Sequence, residues 1–268
     1  IGTIKVKIAQ LLQRNKGIKI FVTQGYITRN AKGEVDNLKR GGSDYSASLI
    51  AAAVNAVVCE IWTDINGMHN NDPRFVNVTV PIKQLSFEEA AELAYIEEKI
   101  LHPASIWPAQ FYNVPVRLLN TMEPESPGTL ITEDAGSTGV KAVAAKDGIT
   151  AIRIKSSRML LAHGFLRKVF EVFEKYQTAI DMITTSEVAV SVTIDNDIYL
   201  NEILKELEVF GIVEIDTNQT IVAIVGNEIT ETKEVMKKLF EAISVIPVRM
   251  VSYGGSRHNI SLLIPRSY

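Results

Sequence analysis

A pattern that occurs twice constrains this chain more than any other feature. Arg167-Lys168-Val169-Phe170 returns as Lys237-Lys238-Leu239-Phe240, and Ile152 and Ile194 find counterparts in Val222 and Ile264, all displaced by about 70 residues. One fold unit is therefore expected twice. In the first copy, residues 149–155 alternate as a half-buried strand, and Phe165, Leu166, Val169, Phe170, Phe173 and Tyr176 mark one face of a helix. Residues 179–183 and the alternating Val188, Val190, Val192 and Ile194 follow. Ile203, Leu204, Leu207 and Phe210 then mark a second helix, and Ile212-Val213-Glu214-Ile215 a closing strand. The order βαββαβ predicts an antiparallel sheet with both helices on one face. The second copy offers strands at 221–225, 248–252 and 259–264 and a helix through Val235, Met236, Leu239, Phe240 and Ile243, without a last helix.

Upstream of the repeat, helical and strand patterns alternate. Ile8, Leu11 and Leu12 belong to an opening helical segment, residues 18–22 read as a strand, 45–56 as an Ala-rich helix and 57–62 as a buried strand. Ser86-Phe87-Glu88-Glu89 forms a capping box, in which Ser86 accepts from the Glu89 amide while the Glu89 side chain reaches back. A helix is expected from there to about residue 101, and a strand at 114–119. This alternation predicts an α/β sheet with helices on its faces. Residues 121–139, rich in Pro, Gly, Ser, Thr and acids, form the expected boundary. The expected division is 1–135, 136–217 and 218–268.

Composition excludes several classes. Lys and Arg total 28 against 31 Asp and Glu, and neither sign is blocked into a stripe, so a nucleic-acid surface is not expected. The single cysteine, Cys59, sits in an apolar run and reads as a small buried thiol. No apolar stretch approaches the roughly 20 residues that span a bilayer, and the N-terminus has no signal-peptide pattern, so no membrane partner and a cytoplasmic location are expected. The chain starts at Ile1 and stops just after a strand-like run, which reads as a piece of something longer.

Two stretches carry candidate chemistry. Arg40-Gly41-Gly42-Ser43-Asp44 joins a cation, two positions without side chains and two oxygen-bearing groups, which suits close backbone approach to a small anion and a clamp on its carboxylate. Ser43 and Asp44 also suit the plain role of helix cap. Trp62-Thr63-Asp64, leading on to Asp72-Pro73-Arg74, offers polar groups where a strand ends, the place where open α/β sheets collect ligands. Taken singly, Arg74 and Lys99 read as solvated surface charges, His102 before Pro103 reads as structural rather than as a ligand, and His163 and His258 have no metal-spaced partners.

Phe21-Val22-Thr23-Gln24-Gly25-Tyr26-Ile27, Leu38-Lys39-Arg40-Gly41-Gly42-Ser43-Asp44-Tyr45-Ser46-Ala47, Ile61-Trp62-Thr63-Asp64-Ile65-Asn66-Gly67 and Lys99-Ile100-Leu101-His102-Pro103 resemble, in order, the C-terminal half of the aspartate kinase catalytic domain. The repeated region resembles that family's tandem ACT domains. Met159-Leu160, Gly164-Phe165-Leu166 and the run from Ile180 to Val188 look like the first ACT domain of lysine-sensitive members. The fold implied is a partial α/β amino-acid-kinase sheet followed by two ACT-like α+β units.

The resemblance implies an enzyme that transfers the γ-phosphate of ATP to the side-chain carboxylate of aspartate, the entry step to lysine, threonine and methionine. Arg40, Gly42, Ser43 and Asp44 would then bind substrate, and Thr63, Asp64, His69, the 67–71 loop, Arg74 and Lys99 the nucleotide. Mg²⁺ would arrive with ATP, without a dedicated metal site. Lysine is the implied allosteric effector, taken by Met159, Gly164, Phe165, Leu166, Ile180, Asp181, Ser186 and Glu187. A homodimer through the first ACT domains is implied as well.

The chain departs from the family at Lys39, commonly glycine; at His69, more often tyrosine; and at Glu97-Glu98, typically Gly-Ala. The family's opening Lys-Phe-Gly-Gly-Thr-Ser motif does not occur, so little kinase activity is expected of this chain alone. The alternative is a non-catalytic amino-acid-sensing module. Fusion of the parent to homoserine dehydrogenase stays open, although no dinucleotide-binding glycine fingerprint occurs here.

Overall fold

The computed structural model describes residues 1–72, 76–96, 101–134, 136–156 and 163–268. These divide into two units, Ile1–Ala144 with Val225–Ile229, and Ala145–Ile224 with Thr230–Tyr268.

The first unit contains α1 (Gly2–Arg14), the hairpin β1 (Ile27–Arg29) and β2 (Val35–Asn37), α2 (Gly42–Val54), β3 (Cys59–Thr63), β4 (Gln84–Ser86), α3 (Phe87–Ile96), α4 (Pro103–Phe111), β5 (Val116–Asn120), β6 (Thr129–Thr132) and the start of β7 (Gly139–Lys155). Its main sheet has the order β3-β5-β6-β4. β3 runs parallel to β5 and β4 parallel to β6, while β5 and β6 are antiparallel. A parallel pair needs a long crossover, and β4, α3 and α4 supply it between β3 and β5. This is the α/β arrangement that the alternating patterns predict.

Local chemistry accounts for most of these elements. The capping box forms as expected: Glu89 N donates to Ser86 Oγ at 3.0 Å, and Ser86 N donates to Glu89 Oε2 at 2.7 Å. Glu89 is fully buried, and Lys141 Nζ reaches the same Oε2 at 2.9 Å. α2 buries Ser48, Ala51, Ala52 and Ala53, a small-residue face that lets α4 pack close with Ile106 and Ala109.

The structure departs from the sequence patterns at four places. Residues 18–22 form no strand: Ile20 is 79% exposed and Val22 94%, and among the described residues no strand lies beside them to take up their backbone groups. The buried strand starts at Cys59, because Val57 stands in solvent. Residues 103–111, with two prolines and no clear apolar stripe, nevertheless form α4, whose first turn is capped by His102 Nδ1 accepting from Ala104 N at 3.3 Å. That cap gives His102 a structural role. β6 falls inside the stretch read as a boundary.

The second unit holds the rest of β7, α5 (Phe165–Lys175), β8 (Ile183–Thr185), β9 (Ala189–Ile194), α6 (Leu200–Leu207), β10 (Ile212–Asn227) up to Ile224, α7 (Lys233–Ala242), β11 (Met250–Ser252) and β12 (Asn259–Pro265). One six-stranded sheet runs β11-β12-β10-β7-β9-β8. Its half β10-β7-β9-β8 completes the first repeat, and β10-β12-β11 belongs to the second. The patterns at 212–215 and 221–225 are thus a single strand that serves both copies. β7 pairs with β9 in the register Ile152↔Val192 and Ile154↔Val190, which puts these four on one face. α5 and α6 cover that face with Phe165, Val169, Val172, Phe173, Ile203 and Leu207. In α5 these residues recur at the i, i+4, i+7, i+8 spacing of a buried stripe.

Candidate functional site

Three separated motifs meet at the start of α2. Gly41, the residue before the helix, has φ 68°, and a Cβ added there would lie 2.6 Å from Ser105 Oγ and 2.9 Å from His102 Cβ, at the start of α4. A Cβ on Gly42 would lie 2.5 Å from that of Leu38. The two glycines are therefore what lets this turn exist. On its other side, a Cβ on Gly25 would lie 3.3 Å from Ser43 Cα, and Ser46 Oγ donates to the Gly25 carbonyl at 2.5 Å. Gln24 Oε1 shapes that neighbouring turn by accepting from Tyr26 N at 3.0 Å and Ile27 N at 2.8 Å. Arg40 and Ser43 are exposed and Asp44 is partly buried. Burial pushes the Asp44 carboxyl above its ordinary value, and the hydrogen bond from Ser43 Oγ at 3.4 Å offsets part of this.

Lys39, where the family commonly has glycine, adopts φ 58°. That left-handed backbone explains the family's choice, and here the Asn37 side chain holds it by accepting from Lys39 N at 2.9 Å.

Thr63 and Asp64 stand at the C-terminal end of β3. A short link over residues 55–58 joins α2 to β3, which packs against it, so the two run in opposite directions. The start of α2 and the end of β3 thus face the same side of the unit. Thr63 Oγ1 accepts from Ile65 N at 3.1 Å and starts a loop anchored by contacts that the motif does not reveal. Asn66 bonds Asn120 at 2.5 Å and Glu123 at 2.8 Å. Thr129, fully buried, accepts from Met68 N at 2.9 Å and donates to the Ile82 carbonyl at 2.6 Å. Gly67, with φ 96°, lies against Thr129, where a Cβ would come within 2.4 Å of Oγ1. The only sequence signal for this anchor is the Gly128-Thr129 pair in the stretch read as a boundary. His69 Nδ1 pairs with Thr79 Oγ1 at 2.8 Å, and burial holds its pKa below the ordinary value. Arg74 and Lys99 lie outside the described residues, as do Glu97 and Glu98.

The residues expected to take an effector fall at two ends of the second unit's sheet. Gly164, with φ 83°, precedes α5 and is exposed, as are Leu166 and Glu187, whereas Phe165 is buried. Ser186 closes the β8–β9 turn through a backbone bond of 2.8 Å to Ala189 and a side-chain oxygen that accepts from Ala189 N at 3.1 Å. β7 ends beside this turn, since Lys155 pairs with Ala189. Asp181 lies at the opposite end, where its amide donates to Thr193 O at 2.9 Å. Ile180 beside it packs on the core. The spacing from Asp181 to Ser186 is about 16 Å along an extended strand. Met159 and Leu160 lie outside the described residues.

Asp181 is an acid with a buried side chain, which is 3% exposed and receives Lys146 Nζ at 3.2 Å; Lys146 also reaches Asp195 Oδ2 at 2.6 Å. Burial works to lower the Lys146 pKa, but the bonds to Asp195 and Asp181 outweigh it and raise the group above the ordinary lysine value. In sequence, Lys146 is one charge between strand patterns, with nothing to mark its partners.

Fold and motifs together define part of an amino acid kinase joined to ACT units. The amino acid kinase family matches residues 3–120, and an ACT domain matches residues 222–268. Lysine-sensitive aspartokinase 3 of Escherichia coli K12 is 36% identical over 266 residues, covering 96% of this chain and 59% of the relative. The crystal structure of E. coli aspartokinase III in complex with lysine and aspartate superposes with a TM-score of 0.84 at 36% identity, over 98% of this chain and 60% of that one. Aspartate kinase of Clostridium acetobutylicum gives a TM-score of 0.88 at 29% identity, over 98% and 63%. The chain belongs to the aspartokinase family. It spans about six tenths of the length of these relatives.

Proposed function

We propose that this chain carries the aspartate-binding turn, part of the nucleotide site and the amino-acid sensor of a lysine-inhibited aspartate kinase. Residues 1–135 are read as kinase, and 136–217 and 218–268 as ACT units. The observation that carries the reading is the convergence of the motifs around Gly25, Gly41 and His102 on the first turn of α2. E. coli aspartokinase III has been crystallised with aspartate and ADP, and with lysine and aspartate, which supports the same ligands here.

The chemistry asked of these residues is positioning. The acceptor carboxylate is already ionised at neutral pH, so phosphoryl transfer needs alignment and charge neutralisation more than a base. Arg40 pairs with substrate carboxylate through two N–H donors, Ser43 adds a hydrogen bond, and the desolvated Asp44 takes the substrate ammonium. Thr63, Asp64 and His69 line the nucleotide, with Arg74 and Lys99 as counter-charges and Mg²⁺ carried in by ATP. A coupled ATP-turnover assay on this chain alone is expected to show little aspartate-dependent activity; turnover at about 1–100 per second, the ordinary kinase range, contradicts that.

Lysine is read as the effector and the homodimer as its receptor. Backbone amides at Gly164–Leu166 take the carboxylate, Ser186 lines the pocket, and Asp181 and Glu187 take ammonium groups. A lysine molecule is at most about 9 Å long from carboxyl carbon to Nζ, six bonds of ~1.5 Å. It cannot reach from the Ser186 end of β8 to Asp181 within one copy, which supports a site completed by a second chain. Asp181→Ala is expected to abolish the rise in melting temperature caused by lysine; an unchanged rise sinks the assignment. The cytoplasm is the compartment proposed. Among the described residues, no helix is long and apolar enough to cross a membrane.

A further inference from the structure

Lys146 presents to Asp181 the same chemical group that an amino-acid effector would bring. Its ammonium lies 3.2 Å from Asp181 Oδ1 and 2.6 Å from Asp195 Oδ2, with the three side chains 14%, 3% and 30% exposed. The shorter bond goes to Asp195, which sits just past β9, while Asp181 precedes β8. Lys146 can therefore release Asp181 without losing an anionic partner. We propose that Lys146 is an internal competitor for the effector's ammonium: it bridges Asp181 and Asp195, and withdraws to Asp195 when a free amino acid binds Asp181. This rests on the reading of Asp181 as an effector ligand.

A tethered ammonium is present at high effective concentration, so the sensor's affinity is set by how firmly Lys146 holds Asp181. If Asp181 is free for about a tenth of the time, the apparent dissociation constant is raised about tenfold. Asp195 tunes this fraction, because it draws Lys146 away from Asp181. A lysine that only braces the fold would not give opposite effects on binding when it and its second partner are changed in turn.

The test is calorimetric titration of L-lysine into the 268-residue chain and its variants, with the melting temperature of each recorded without ligand. Lys146→Met is expected to bind lysine about tenfold more tightly and Asp195→Asn about tenfold more weakly. The double variant Lys146→Met/Asp195→Asn has the same net charge at this cluster as the parent. Competition predicts that it still binds more tightly, whereas a simple charge effect predicts parental affinity. Lys146→Arg keeps the competitor and should stay near the parent, and it serves if Lys146→Met does not fold. Weaker or unchanged binding in Lys146→Met, or parental affinity in the double variant, overturns the competitor. Should Lys146→Met not fold, unchanged or tighter binding in Asp195→Asn overturns it. Parental lysine binding that Asp181→Ala leaves intact overturns the effector reading instead, and absence of lysine binding in the parent overturns both.

Discussion

Asp44 holds its proton more tightly in the folded chain than in the unfolded one, because burial disfavours the charged form and Ser43 offsets this only in part. A raised carboxyl pKa contributes stability below the unfolded value, and that contribution is lost as pH rises through the folded value. At neutral pH the ionised Asp44 is therefore a local cost, which a bound ammonium would relieve. Asp44→Asn is expected to melt higher than the parent at pH 7, with the gap closing as pH falls, and to bind aspartate more weakly. A gap that stays constant with pH argues against a desolvated carboxylate. Cys59 lies in the same unit, and burial, with help from the Asp44 and Glu60 charges, pushes its thiol up to about 11. It is a protonated core group at neutral pH, as a small thiol in an apolar run should be.

At the scale of elements, the capping box shows what short-range chemistry can specify. Ser86 and Glu89 were legible because both partners lie within one turn. Lys141, the buried cation on Glu89, comes from a strand far along the chain and leaves no local mark. Removing one partner of such a pair strands the other charge, so Glu89→Ala should cost about 3–5 kcal/mol in urea denaturation. A loss below about 1 kcal/mol, the size of an ordinary cap, would mean that the ion pair adds nothing. The same distinction separates the other elements. α5 and α6 were readable from their apolar stripes, but residues 18–22 have a strand's pattern without a strand's neighbour, and α4 is fixed by packing on α2 despite its prolines. The shared strand β10 reads as two because its two halves belong to different copies of the repeat. In the site, the glycine-flanked turn was legible as a unit; Thr129, which holds Met68 and Ile82, and Lys146 beside Asp181 were not, since both act through long-range contacts.

Across the whole molecule, the candidate functions separate by unit. The turn before α2 and the end of β3 lie in the first, and the residues proposed to sense an amino acid lie in the second. The first could bind substrate without completing phosphoryl transfer, and the second could bind an amino acid whether or not the first turns over. The account's central claim is that the Arg40–Asp44 turn recognises aspartate, and calorimetric titration of L-aspartate into the parent chain and into Arg40→Ala tests it most directly. Saturable heat in the parent that weakens at least about tenfold in Arg40→Ala is the predicted result, the loss of one paired, charge-assisted contact. Equal affinity in the two proteins, or no aspartate binding by the parent, would contradict it.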